Sequence, residues 1–200
     1  MDQRAARELG DAPRPPWRIP CRERRRSAEG RQATSERSVE HATIIIERSY
    51  PASPERTFGA WADSEAKARW LGVPEGELEL DFRVGGRERH QGTLPNGRVY
   101  TYQAVYQDII RPRRILYTYE MLLDGRRISI SLATAEFTPK GDGTRLVVTE
   151  QGALLDRHEA PARRDTGMGS LLDALGKELQ SEHASTRTTK GQPRRGDASA

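Results

Sequence analysis

The chain of 200 residues is 34% hydrophobic and 31% charged, with a formal net charge of +4, which fits one folded domain between polar segments rather than two separate cores. Its single cysteine, Cys21, excludes an intramolecular disulfide, and no stretch approaches the roughly 18 apolar residues that a membrane-crossing helix needs. Residues 1–40 hold ten Arg against seven acids and residues 181–200 four basic residues against two acids, so removing +3 and +2 from the total leaves −1 for residues 41–180.

Pro13, Pro15, Pro16 and Pro20, the run Arg24-Arg25-Arg26 and the lack of any sustained periodicity give residues 1–40 the composition of a disordered basic tail. Acids lie among these arginines, and Arg outnumbers Lys 29 to 4 over the whole chain. That reads as a codon preference rather than a phosphate-binding arm, and no nucleic-acid partner is expected for the core. The N-terminus has no apolar run before a small-residue cleavage site, so no secretory signal is read and a cytoplasmic location is expected.

Order is expected to begin near residue 41. Ala42 to Tyr50 is rich in β-branched residues and is stopped by Pro51, which predicts a strand. Ser53-Pro54-Glu55 reads as N-cap, first-turn proline and an acid facing the helix dipole, so a short helix should run to about residue 62 with Phe58 and Trp61 on its buried face. Asp63 can cap a second short helix that carries Trp70 and is broken by Gly72 and Pro74.

From Glu77 to Gly152 the pattern is strands. Leu78, Leu80 and Phe82 alternate with Glu79, Asp81 and Arg83 before a turn or bulge at Gly85-Gly86. Asn96-Gly97 and Asp124-Gly125 are hairpin turns. They frame strands over 98–109, with Tyr100, Tyr102 and Tyr106 on one side, over 115–121, with Ile115, Tyr117, Tyr119 and Met121, and over 127–137. Strands 98–109 and 127–137 carry plausible residues on each face, and their inward side is left open. Gly141-Asp142-Gly143 turns into Leu146, Val148 and Glu150. Sequential hairpins predict an antiparallel meander. A last helix, with Pro161 near its start, carries Met168, Leu171, Leu172, Leu175 and Leu179 on one stripe, and residues 181–200 read as a second disordered tail.

This succession resembles the START-like or SRPBCC superfamily, an α+β helix-grip fold in which a curved antiparallel sheet wraps a long C-terminal helix. Within it, residues 41–180 resemble the bacterial branch named after the C-terminal domain of the activator of heat shock protein 90 ATPase, often described as polyketide-cyclase-like. The resemblance rests on Ser53-Pro54-Glu55-Arg56-Thr57-Phe58 with Trp61, on Trp70, on Asp81-x-Arg83-x-Gly85-Gly86, on Pro112-x-Arg114-Ile115 and its Tyr-rich strand, on Gly143-Thr144-Arg145-Leu146, and on Gly167 to Leu175. Met168 stands where the family pattern leads us to expect an aromatic residue. The resemblance implies a cavity between sheet and long helix, open near the short helices and hairpins. It implies no single chemistry.

Trp61, Trp70, Tyr102, Tyr117, Tyr119 and Met168 are the expected wall of that cavity. Counting by two from Leu146 and Val148 turns Glu150 inward as a candidate ligand contact. The alternative is a slipped register in which it meets solvent or pairs with an Arg. Arg83 reads as an ion pair or turn brace ahead of a ligand contact. His90 is a candidate polar pocket residue, without a second His or carboxylate at metal-ligand spacing. Gly167 and Gly169 suggest a bend or close packing in the last helix. No catalytic residue, cofactor or metal is assigned.

The expected function is binding of a small hydrophobic or aromatic molecule, lipid-like or polyketide-like. The alternatives are a cyclase or dehydratase using Glu150 or His90 for proton transfer, and a chaperone-activator-like interaction module. Residues 1–40 are too short and polar for the activator's separate N-terminal domain, which weighs against full activator function. A homodimer is left open.

Overall fold

The computed structural model describes residues 37–158 and 161–189; of the tail expected over 1–40, residues 1–36, with Cys21, lie outside them, as do residues 190–200, whereas Val39 and Glu40 already belong to the first strand, paired with Leu155 and Leu154. Strand β1 (Val39–Tyr50) leads into helix α1 (Pro54–Ala62) and helix α2 (Ser64–Leu71). Both helices start where the sequence offers a cap. The Ser53 hydroxyl accepts from the Arg56 amide at 3.3 Å and the Asp63 carboxylate from the Ala66 amide at 2.9 Å, and Gly72 closes α2 in the left-handed region with φ 69°.

The meander follows as β2 (Glu79–Leu80), β3 (Arg87–Thr93), β4 (Val99–Ile110), β5 (Arg114–Leu123), β6 (Arg126–Lys140) and β7 (Gly143–Leu155). Seven strands form one antiparallel sheet in the order β1-β7-β6-β5-β4-β3-β2. Helix α3 (Pro161–Thr189) then packs against β1 and α2. Its stripe buries Leu172, Leu175 and Leu179, and the Tyr50 hydroxyl donates to the Leu172 carbonyl at 2.8 Å, pinning the helix to β1. The architecture is α+β and agrees with the helix grip.

Several boundaries differ from the sequence expectation. The alternation around Leu80 yields only a two-residue strand, because the chain turns at once: the Asp81 amide donates to the Arg87 carbonyl at 2.8 Å and the Gly86 amide to the Arg83 carbonyl at 2.8 Å. A Cβ at Gly86 would lie 2.0 Å from the Asp81 carbonyl oxygen. Phe82 still packs edge-on against Phe58 and Tyr106. Arg83 braces that turn through Asp81, at 3.0 Å. Helix α3 runs to Thr189, nine residues beyond the 180 boundary, since Ser and Thr lower helix propensity without stopping a helix already started. It is continuous through Gly167 and Gly169, and Gly169 is the site of close packing, where a Cβ would lie 3.2 Å from the Arg48 guanidinium.

The two open faces are also settled. On β4, Tyr102, Ala104 and Tyr106 turn inward, and the register shifts between Tyr106 and Asp108. On β6 the inward set is Ser131, Ala133, Ala135 and Phe137, while the larger Ile130 and Leu132 stay 49% and 39% exposed. A hollow lies beneath the first half of α3, over the inner face of β3, β4 and β5.

Candidate functional site

That hollow is a pocket of about 480 Å³, within the range of small-molecule sites. Its floor is the inner face of β3, β4 and β5. The register sets His90 beside Tyr102 and Tyr102 beside Met121. The rings of His90 and Tyr102 stack at 4.9 Å, and Tyr102 approaches Tyr119 at 5.1 Å. One wall is α1 and α2 through Trp61 and Trp70, whose rings lie 5.4 Å apart. The roof is the first half of α3, with Met168 and Leu171. Leu94 in the β3–β4 turn, Arg163 and Gly167 are partly or fully exposed members of the lining and mark the mouth.

Six of the sequence-selected residues, Trp61, Trp70, Tyr102, Tyr117, Tyr119 and Met168, line this pocket. Glu150 faces inward as the period-two count requires and is only 2% exposed, but it is not part of the lining. Its Oε1 accepts from Ser131 Oγ at 2.7 Å and from Arg164 Nη1 at 3.4 Å, so the pairing with an Arg occurs inside the protein. Glu150 Oε2 has no partner.

Two polar clusters punctuate the aromatic wall. In the first, Lys67 Nζ donates to Glu88 Oε2 at 2.5 Å and to the Tyr106 hydroxyl at 3.1 Å, and Tyr106 in turn donates to Glu88. The ammonium also lies 5.4 Å from the Trp61 ring and 6.0 Å from the Trp70 ring, a cage of π faces. Burial pulls the Lys67 pKa down while Glu88 opposes it. In the second cluster, Arg164 donates from Nη1 to Tyr119 at 2.9 Å and from Nη2 to Ser129 at 2.6 Å. Arg164 partly offsets the rise that burial imposes on the Tyr119 phenol, and Tyr102 and Tyr117 are likewise pushed well up. All three phenols therefore stay protonated near neutrality. His90, 8% exposed, has its pKa lowered by burial, and its Nδ1 has no partner. Among the described residues no three His, Cys, Asp or Glu side chains converge as a metal-binding group.

The family model for the Activator of Hsp90 ATPase homolog 1-like protein matches residues 51–180. The chain belongs to this family. For an Activator of Hsp90 ATPase homolog 1-like chain, the match spans every element that lines the pocket and leaves out β1. Among solved structures, protein Mll3558 from Rhizobium loti is 44% identical, with a TM-score of 0.67 over 70% of this chain and 99% of its own. An uncharacterized protein from Rhizobium leguminosarum is 40% identical, with a TM-score of 0.69 over 73% of this chain and 99% of its own. CalU16 from Micromonospora echinospora, 22% identical with a TM-score of 0.53 over 78% of this chain and 92% of its own, shares the fold. No curated protein matches the chain.

Sequence reasoning missed Lys67, Glu88 and Arg164, although each left a trace in this family member. Extending the α3 stripe from Met168 one turn backward lands on Arg164. Lys67, one of only four lysines, stands three residues before Trp70 on the buried face of α2. Strand β3 contains no apolar side chain at all, and its inward positions are Glu88 and His90.

Proposed function

We propose that the chain binds a small hydrophobic or aromatic molecule between the sheet and α3. The observation that carries this reading is the pocket of about 480 Å³ walled by Trp61, Trp70, Tyr102, Tyr117 and Tyr119. Flat, rigid rings offer large apolar contact at little entropic cost, and the hydroxyls can orient a polar group. Membership of the family fits a ligand-binding or cyclase-like role. Native mass spectrometry of the full chain, purified from its own host, should release a small molecule on mild denaturation. A bare chain whose melting temperature is unmoved by a panel of hydrophobic metabolites would sink the reading and favour an interaction surface.

One observation supports a second reading, a cyclase- or dehydratase-type enzyme in the same pocket. His90 is on the lining, kept neutral by burial, and has an unpartnered ring nitrogen, so it can exchange a proton with a bound molecule. Glu150 is poorly placed for that work, being held by Ser131 and Arg164. Turnover abolished by His90→Gln, with ligand affinity kept, is the outcome this reading requires.

A further inference from the structure

Strand β3 contributes only polar side chains to the pocket floor. It turns Glu88 and His90 inward, and both line the pocket. Glu88 is satisfied, because Lys67 lies 2.5 Å from it and Tyr106 donates to it, and the two charges cancel. His90 is not. It is 8% exposed, and its Nδ1 has no hydrogen-bond partner among the described residues. Tyr102 is its neighbour across β3 and β4 and stacks on its ring at 4.9 Å. The Tyr102 hydroxyl also lies on a lining residue and donates to no described residue. Buried polar groups nearly always have a partner, and an exception on the wall of an aromatic pocket marks where a bound molecule can supply one.

The chemistry of the two groups defines what can fill that place. A phenol both donates and accepts, whereas a neutral imidazole nitrogen does one or the other according to its tautomer. Burial holds His90 neutral and the Tyr102 phenol protonated. A ligand hydroxyl, which also donates and accepts, meets either tautomer of His90 while pairing with Tyr102. A carbonyl or an ether can only accept. A carboxylate would shed its hydration where Lys67 and Glu88 already neutralise each other. The stacked rings of His90 and Tyr102, with Tyr119 at 5.1 Å from Tyr102, favour an aromatic body.

We infer that His90 and Tyr102 form a hydroxyl subsite on the pocket floor, and that the ligand is a neutral hydroxylated aromatic molecule, phenol-like at the end that reaches β3. The subsite presupposes that the pocket is a ligand site.

Calorimetric titration of the full chain at neutral pH with three naphthalenes of similar size tests it. 2-Naphthol donates and accepts, 2-methoxynaphthalene only accepts, and 2-methylnaphthalene does neither. 2-Naphthol should bind about tenfold or more tightly than either, since an analogue that leaves a buried polar group unpaired forfeits its hydrogen bond. Tyr102→Phe and His90→Phe keep a ring in place and remove the polar atom. Each should weaken 2-naphthol several-fold more than 2-methylnaphthalene and should not lower the melting temperature. His90→Gln, which restores a donor and an acceptor, should keep most of the preference for 2-naphthol. Equal affinity for all three, or 2-naphthol no better than 2-methoxynaphthalene, overturns the hydroxyl subsite while leaving the pocket a ligand site. A preference that survives both Phe variants overturns its assignment to His90 and Tyr102. No binding by any of the three overturns both the subsite and the pocket reading.

Discussion

At the scale of single residues, the energetics of the pocket turn on charges placed where water cannot reach them. Lys67 and Glu88 are each about 3% exposed and 2.5 Å apart. Such a pair contributes little net stability, because desolvation offsets attraction, yet removing one partner strands the other. Lys67→Met should therefore cost about 3–5 kcal/mol in urea denaturation. Lys67→Met with Glu88→Gln should recover most of that loss, since the amide oxygen can still accept from Tyr106. A double variant no more stable than the single one would show that the cluster is not a desolvated ion pair. His90 gives a pH signature. Its folded pKa is depressed below the ordinary 6.5 by burial, so between the two values the unfolded chain binds the proton and the native one does not. Stability should fall as pH drops below about 6.5 and level off below the folded pKa. His90→Gln should flatten the pH 7.5 to 5 slope relative to the parent, and identical slopes would refute the assignment.

At the scale of elements, what was legible depended on whether local chemistry or tertiary contact decided the outcome. Helices α1 and α2 could be read because Ser53, Asp63 and Gly72 supply the terminal hydrogen bonds or dihedrals that a short helix cannot supply itself. The hairpin at Asp124-Gly125 could be read because both residues adopt positive φ, 51° and 77°. Strand β3 could not be read through its core face, since Arg87 to Thr93 offers no hydrophobic period. It is held by pairing to β4, and its inward Glu88 is tolerated because Lys67 and Tyr106 meet it from α2 and β4. The same distinction separates the pocket residues. Aromatic walls announce themselves in composition, whereas Arg164 occupies a stripe position that hydrophobic counting discards. Ser129, Tyr119 and Glu150, on three different strands, help to make that position habitable.

For the whole molecule, the pocket exists because the sheet withholds volume that the helix does not fill. The inner face of β3, β4 and β5 stands back from the first half of α3, and α3 answers with Met168, a flexible side chain, where the family pattern leads one to expect an aromatic ring. This makes Met168 a lever that separates folding from binding. In Met168→Trp the larger ring enters space already bounded by apolar side chains, so it should raise stability by about 1 kcal/mol, or roughly 3 °C in melting temperature. The same ring should weaken any pocket ligand about tenfold or more by occupying its volume, in contrast to core variants such as Leu175→Ala, which should cost about 2–5 kcal/mol through a fully buried site outside the lining. Thermal melts and ligand titrations on the one variant read both effects. A stabilised protein that keeps its affinity would place the ligand away from the roof of the pocket, and a destabilised one would mean that the space under α3 is already occupied by packing.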